Sequence, residues 1–416
     1  MFKRATLDNG ICFVGEQMRN MRSASLGIWV QVGSRNETTE HNGISHFAEH
    51  MFFKGTKKHD AQSIAVEIDS LGGELNAFTS KECTTFYVKV LDEHLDTAAD
   101  LLLDIFLHST FPEDELEREK GVVKEEIKMV EDTPDDYIHD LFSLSVWGNT
   151  GLGQPVLGRR DSVRSFTRQT LMDHIHHYYG TADTIVSCAG RFDEKLLLKR
   201  LNKGLGKLRR ASEPPKHVVH EFAPKVEVHQ KDLAETHICT GIRGIPQGSE
   251  GRYALSLINT IFGGGLSSRL FQEIREKRGL AYSIYSYVSS YKDDGMWGVY
   301  AGCGRKKAPE VMERIADEFA NLPRYITRDV LKRAKEQLKG NLMLGLESTS
   351  RRMQHIANQQ IYYGRNYTPK ELIAEIEGVT LKHARAMAES LIADNALALT
   401  VLGPFDKSDL PAPYKR

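Results

Sequence analysis

The sequence contains little cysteine, with five in 416 residues and no Cys-x-x-Cys pair. The five are widely spaced and odd in number: Cys12, Cys83, Cys188, Cys239 and Cys303. Such a set argues against a disulfide framework and against a zinc site built from cysteines. We therefore predict reduced, buried thiols.

Long apolar runs are also absent. The longest apolar stretches are far too short to span a bilayer, and the first ten residues lack the apolar core of a secretory signal. We therefore expect a cytoplasmic protein that does not contact a membrane. The formal net charge is −1, without long blocks of like charge, so the bulk charge predicts no binding to nucleic acid.

The two halves of the sequence resemble each other. An apolar run ends in Gly-x-Phe-Asp at Gly190 and again at Gly403, and long helical patterns begin near Leu116 and near Leu331. The interval between the two glycines nearly equals the interval between the two leucines, which predicts a duplicated domain of ordinary size. The predicted segments are a catalytic domain at 1–210, a polar, proline-bearing linker at 211–220 and a homologous non-catalytic domain at 221–416.

Each half mixes strand and helix patterns. Apolar residues alternate with small or polar ones at 26–32 and 86–90, which is the period of a strand with one buried face. Longer segments with helical periodicity follow at 91–107 and 114–130. Strands followed by helices predict an α+β fold, with a mainly antiparallel sheet in each domain covered by helices on one side.

The segment His46-Phe-Ala-Glu-His50 carries the clearest chemical pattern. Residues four apart on a helix share a face, so His46 and His50 can present ring nitrogens to one metal ion. This is His-x-x-Glu-His, the inverse of the His-Glu-x-x-His pattern of zinc peptidases. Zinc bound by two histidines and a carboxylate keeps a position for water, whose proton Glu49 can accept. The alternative is that two histidines at this spacing only pack against the core.

A third ligand is expected among the acidic residues of the helix pattern at 113–127. Glu119 and Glu126 lie two helical turns apart and share a face, whereas Glu125 points elsewhere. The spacing does not choose between them, and such a helix can also be a solvated charged surface.

Two segments identify a family resemblance: His46-Phe-Ala-Glu-His-Met-Phe-Phe-Lys-Gly-Thr56 and Leu71-Gly-Gly-Glu-Leu-Asn-Ala-Phe-Thr79. Over essentially the whole chain, the sequence resembles the pitrilysin and insulinase metallopeptidases, and most closely their processing-peptidase branch. The resemblance implies a metalloendopeptidase of the processing-peptidase-like fold with one Zn²⁺ per chain. Its substrates would be unfolded peptides or presequence-like segments. The family's third ligand falls on Glu126, and a supporting acidic residue of its catalytic machinery falls on Glu119.

The resemblance also implies substrate-binding residues. Asn76 and Ala77 would border the active site on an edge strand, to which the substrate adds as a further strand. From the residues alone, this segment is a turn and a strand start. Arg275 and Tyr282 match the family's arginine–tyrosine pair, whose donors could bind a substrate carbonyl or an oxyanion. Without the family, we would place Arg275 on the surface and Tyr282 in the core.

The second half lacks a His-x-x-Glu-His motif. When the halves are aligned on the helical patterns at Leu116 and Leu331, Ala334 and Asn341 stand where the first half has Glu119 and Glu126, so we expect no metal there. In the family, the arginine–tyrosine pair reaches the zinc site from the opposite half of a clamshell. A chain that supplies one half therefore implies a homodimer, in which the pair acts on the partner's zinc.

Asp136 and Asp140 lie one helical turn apart. They resemble the acidic positions by which processing peptidases hold an arginine near the cleavage site, and an ion pair with a guanidinium is physically reasonable. Equally, acidic residues after Pro134 suit the start of a helix. The histidines at 174, 176 and 177 are spaced so that they scatter around a helix, and we interpret them as surface residues.

Two other functions remain open. Relatives of this fold serve as non-catalytic scaffold subunits in respiratory complexes, although the intact metal motif counts against that function here. A zinc hydrolase acting on a non-peptide substrate is the second alternative, and the edge-strand segment at Asn76 favours peptides over it.

Overall fold

The structure is a computed structural model that describes residues 2–209, 221–393 and 396–415. The predicted linker at 211–220 lies outside the described residues. The strands, in chain order, are β1 (Phe2–Thr6), β2 (Cys12–Gln17), β3 (Ser23–Val30), β4 (Glu74–Thr79), β5 (Thr84–Leu91), β6 (Thr184–Gly190), β7 (Val226–Gln230), β8 (Thr236–Arg243), β9 (Ser283–Ser290), β10 (Gly295–Cys303) and β11 (Ala398–Gly403).

The helices of the described residues fall between the strands and after them. In chain order they are α1 (Ile44–Phe52), α2 (Ala61–Ser70), α3 (Leu95–His108), α4 (Glu113–Glu131), α5 (Pro134–Trp147), α6 (Arg160–Ser165), α7 (Arg168–Tyr178), α8 (Glu194–Leu205), α9 (Arg252–Gly263), α10 (Ala308–Tyr325), α11 (Arg328–Gly345), α12 (Thr349–Tyr363), α13 (Pro369–Gly378) and α14 (Leu381–Ala393). None of these helices combines the length and apolar composition needed to cross a bilayer.

The described residues form two compact units, each built on one sheet. The first unit comprises 2–129, 150–209 and 344–366, and the second comprises 130–149, 221–343, 367–393 and 396–415. The first sheet has the order β1-β2-β6-β3-β5-β4, and the second has β7-β11-β8-β10-β9. In each sheet one pair is parallel, β2 with β6 and β7 with β11, and the other pairs are antiparallel. The predicted α+β fold class is therefore confirmed.

The two sheets also share a local detail. Gly190 ends β6 with φ 126°, and Gly403 ends β11 with φ 138°. A Cβ atom would lie 2.3 Å from the carbonyl oxygen of Ser23 at the first position and 2.6 Å from that of Glu235 at the second. Both the positive φ and the close backbone therefore require glycine, which explains why these two residues stand out in the sequence.

Two equivalent helices are exchanged between the units. Helix α5 comes from the first half of the sequence but packs on β8 and β11 of the second sheet. Helix α12 comes from the second half but packs on β2, β3 and β6 of the first sheet. Their first residues, Pro134 and Thr349, are separated by the same interval as Leu116 and Leu331 in the sequence repeat. The units therefore do not coincide with the predicted segments 1–210 and 221–416.

The exchange changes the expected layering of the sheets. In the first unit, α1, α3 and α8 pack on one face of the sheet in the main core. On the other face, Trp29 and Ile185 pack against Met353 and Ile356 of α12. The prediction of helices on one side is therefore wrong, because a sheet with two apolar faces must cover both.

The cysteines are all free thiols. Four are buried, while Cys12 on β2 is half-buried. The prediction of reduced thiols is confirmed, and burial is confirmed for all but Cys12.

Candidate metal centre

Helix α1 carries the His-x-x-Glu-His motif, and its start is held by a residue from outside the helix. It begins after Gly43, whose φ of 93° is left-handed and which has no side chain to cap the first turn. Glu37 replaces that cap: its carboxylate accepts hydrogen bonds from the backbone N–H of Gly43 (2.6 Å) and Ser45 (2.8 Å). Burial raises the pKa of Glu37 to about 7, against the opposing effect of these donors.

Three side chains converge beside α1. Glu126 Oε2 lies 3.7 Å from His46 Nε2 and 3.4 Å from His50 Nε2, and the three candidate ligand atoms lie within 4.8 Å of one another. Glu126 Oε2 is buried and makes no hydrogen bond to the described residues. In the part of the chain that the structure describes, no other group of three histidine, cysteine or acidic side chains comes this close.

This donor set fits a metal ion. Burial, and then the proximity of His50, lowers the pKa of His46 to about 3, so its imidazole is neutral near pH 7 and can act as a ligand. Two imidazoles and one carboxylate are a typical ligand set for catalytic zinc, with one coordination position left for water. A cation at this point would also satisfy the buried oxygen of Glu126.

Glu119 binds the ring nitrogen of His50 that is not directed toward Glu126. Its Oε2 accepts a hydrogen bond from His50 Nδ1 at 2.9 Å, and its Oε1 lies 2.5 Å from Lys54 Nζ. Burial raises the pKa of Glu119, but the hydrogen bonds from His50 and Lys54 outweigh burial and lower it. Binding through Nδ1 orients the other nitrogen of His50 toward Glu126, which is the usual function of a carboxylate behind a metal-binding histidine.

Glu49 lies between the metal ligands and the edge of the sheet. Its Oε2 accepts a hydrogen bond from Thr79 Oγ1 at 2.5 Å, and Thr79 ends β4. Burial raises the pKa of Glu49, although the bond from Thr79 opposes the shift. A carboxylate with a raised pKa, held in one orientation, is a better proton acceptor than an ordinary carboxylate.

Strand β4 also holds the predicted substrate-binding residues Asn76 and Ala77. It is the last strand of the first sheet and, within the described part of the chain, pairs only with β5. The side chain of Asn76 is exposed, and its Oδ1 accepts a hydrogen bond from the N–H of Ala77 at 2.8 Å. The same strand therefore supports Glu49 and presents an unpaired edge.

The arginine–tyrosine pair belongs to the second unit. Arg275 lies in a short π-helix, Phe271–Glu276, and its guanidinium carbon is 5.3 Å from the ring centre of Tyr282. Tyr282 is 77% exposed, so the interpretation of this residue as core is wrong. An exposed tyrosine beside an arginine on a π-helix is a more typical feature of a binding surface than of a packed interior.

The remaining predicted residues lie on two other helices. Asp136 is exposed and Asp140 is half-buried on α5, in the second unit, within the first two turns after Pro134. The interpretation of three surface histidines on α7 is wrong for His174, which is buried with its Nε2 3.3 Å from Ser45 Oγ of α1. Burial lowers the pKa of His174 to about 3.

Comparison with known proteins is consistent with this site. Residues 13–160 match the family model described as insulinase (peptidase family M16), and residues 165–338 match the model described as the peptidase M16 inactive domain. The chain is 44% identical over 401 residues to the uncharacterized zinc protease YmxG of Bacillus subtilis, covering 96% of this chain and 98% of that protein. It is 38% identical over 411 residues to an uncharacterized zinc protease of Streptomyces coelicolor, covering 97% and 89%.

Two solved structures share the fold. A protease from Helicobacter pylori superposes with a TM-score of 0.90 at 22% identity, covering 97% of this chain and 99% of that one. A chain of complex III2 from Candida albicans superposes with a TM-score of 0.83 at 21% identity, covering 97% and 96%.

Metal affinity should depend on pH through His50. Burial disfavours its charged form, but the hydrogen bond with Glu119 and the charge of Glu126 outweigh burial and raise the pKa of His50. A metal ion must displace this proton, so zinc affinity should fall as the pH is lowered from about 8 to about 6. Titration calorimetry in buffers of different ionisation enthalpy would detect the released proton. Glu119→Gln should move the proton competition to lower pH, and an affinity that is constant across this range would contradict the prediction.

Proposed function

Because this chain belongs to the M16 peptidase family, we propose that it is a zinc-dependent endopeptidase that hydrolyses unfolded peptides or presequence-like segments. The observation that carries the proposal is the convergence of His46, His50 and Glu126, with Glu49 held between this group and the edge of β4. We also propose that the protein is located in the cytoplasm.

The chain's own residues have distinct functions in this proposal. His46, His50 and Glu126 would hold the zinc ion, which when bound lowers the pKa of a water molecule and polarises the substrate carbonyl. Glu49 accepts the water proton and passes it to the leaving amine, while Thr79 keeps its carboxylate oriented.

Substrate would bind in an extended conformation along β4. Adding a strand to this edge supplies backbone hydrogen bonds that do not depend on the sequence of the peptide, which suits a peptidase for unfolded segments. The same edge favours a peptide over a non-peptide substrate. The relative in complex III2 shares the fold and supports the alternative of a scaffold subunit, but a scaffold does not require the complete ligand set found here.

Glu49→Gln should separate catalysis from metal binding. We expect the variant to retain its zinc and to lose cleavage of a quenched peptide library by about 10²- to 10⁴-fold, since the amide cannot accept the proton. Zinc content and cleavage would be measured on both proteins, with the exposed Glu125→Gln on α4 as the matched control. If the wild-type protein binds no metal and cleaves nothing, the scaffold function replaces the proposal.

We further propose that Arg275 and Tyr282 act on the zinc site of a second copy in a homodimer. Arg275→Ala and Glu49→Gln should each be inactive alone. When the two proteins are mixed and allowed to exchange, half of the dimers are hybrid, each with one intact site, so about a quarter of the activity should return.

The control for this complementation is a mixture of Glu49→Gln with Glu126→Gln. Both changes damage the same zinc centre, so no hybrid contains an intact site and no activity should return. Failure of the Arg275→Ala mixture to recover activity despite demonstrated exchange, or a fully active monomer, would contradict a shared site.

Asp136 and Asp140 are proposed to hold an arginine of the substrate. Asp136→Asn and Asp140→Asn should lower kcat/KM about tenfold for a peptide with arginine near the cleavage site, because a charged hydrogen bond is lost. The same peptide with citrulline, which is neutral and nearly isosteric, should be insensitive to the variants. Asp132→Asn serves as the exposed control. Equal losses for both peptides would instead indicate that the acids only stabilise the start of α5.

A further inference from the structure

One side chain of helix α12 lies in the surroundings of the proposed metal site. The hydroxyl of Tyr362, near the end of α12, donates a hydrogen bond to Glu82 Oε2 at 2.8 Å. The other carboxylate oxygen of Glu82 lies 2.5 Å from Arg35 Nη1. The side chains of Arg35 and Glu82 are only 3% and 4% exposed, so this is a buried ion pair to which a helix from the second half of the sequence adds a hydrogen bond.

The ion pair joins two segments that are also linked through their backbones. Glu82 lies in the turn between β4 and β5, and this turn accepts hydrogen bonds from the N–H of Ser34 and Arg35, at 3.1 and 2.9 Å. A Cβ atom at Gly33 would lie 2.2 Å from the carbonyl oxygen of Ser80, so the two backbones touch. The turn and residues 33–35 are therefore connected through both their backbones and their side chains.

This connection supports the metal site at two points. Thr79, at the end of β4 just before the turn, donates the hydrogen bond that orients Glu49. Glu37, two residues after Arg35, binds the first amides of α1 and so determines where the motif helix begins. A shift of the turn relative to residues 33–37 would therefore move the carboxylate of Glu49 relative to the histidines of α1.

We propose that Tyr362 is a positioning residue for this site, which, together with Glu82 and Arg35, makes the alignment of Glu49 depend on α12. The inference rests on the proposed peptidase function. Without the tyrosine hydroxyl, Glu82 Oε2 loses a half-buried donor and the carboxylate can reorient away from Arg35. The consequence is a small misalignment of Glu49, to which a proton-transfer step is far more sensitive than substrate binding.

The test compares Tyr362→Phe with Tyr414→Phe, each of which removes one hydroxyl. Tyr414 is buried in the second unit, and its hydroxyl lies 3.0 Å from Thr240 Oγ1. We would measure zinc content, thermal unfolding, and kcat and KM on a quenched peptide. Tyr362→Phe should lose about tenfold in kcat with KM within about twofold and unchanged zinc content. Tyr414→Phe should lower the unfolding temperature to a similar extent without changing kcat.

A second variant guards against a general folding defect. Glu82→Gln weakens the ion pair while keeping the shape of the side chain. Like Tyr362→Phe, it should reduce kcat. If both Tyr362→Phe and Glu82→Gln lower only the unfolding temperature and keep the wild-type kcat, the inference is wrong while the peptidase function stands. If the wild-type protein neither binds zinc nor cleaves peptides, the proposed function fails, and the inference fails with it.

Discussion

The contact between Glu37 and the first turn of α1 determines where the metal ligands lie. A nine-residue helix is too short to be stable by itself, so its position depends on tertiary contacts at its ends. The carboxyl group of Glu37 accepts hydrogen bonds from the amides of Gly43 and Ser45, and so supplies the cap that Gly43, without a side chain, cannot provide. His46, Glu49 and His50 all take their direction from this helix, so the geometry of the site begins with a residue that binds no metal.

Local periodicity made part of this site predictable from the sequence. Helical spacing places His46 and His50 on one face of α1. It also limits the third ligand to a few acidic residues of α4. Each inference was possible because it depends on the periodicity within one helix. Choosing Glu126 required the family resemblance. Glu37 and Thr79 escaped prediction because their contacts with α1 depend on the tertiary fold and leave no periodic signal. Lys54 did leave a periodic signal in the sequence, because it stands four residues after His50, where a partner for Glu119 could have been sought.

The fold was predictable to the level of two related α+β halves and no further. The repeat of glycine-terminated apolar runs predicts a duplication. The second sheet, β7-β11-β8-β10-β9, has the same strand order as β2-β6-β3-β5-β4, and β1 is an additional edge strand of the first sheet. The exchange of α5 and α12 was not predictable, because the period of an amphipathic helix shows which of its faces is apolar and does not show which sheet will cover that face. Tyr282 illustrates a related limit, since an aromatic side chain near apolar residues suits a core and an exposed binding surface equally well.

The exchanged helices have a consequence for synthesis of the chain on the ribosome. The strands of the first sheet are complete once β6 has been made, but the face that carries Trp29 and Ile185 stays uncovered until α12 has emerged. Throughout the translation of the long stretch between β6 and α12, the nascent first unit must therefore keep an apolar sheet face in water, a state prone to aggregation and a substrate for chaperones. Cotranslational folding of this protein thus cannot proceed simply one half after the other, although the sequence repeats in two halves.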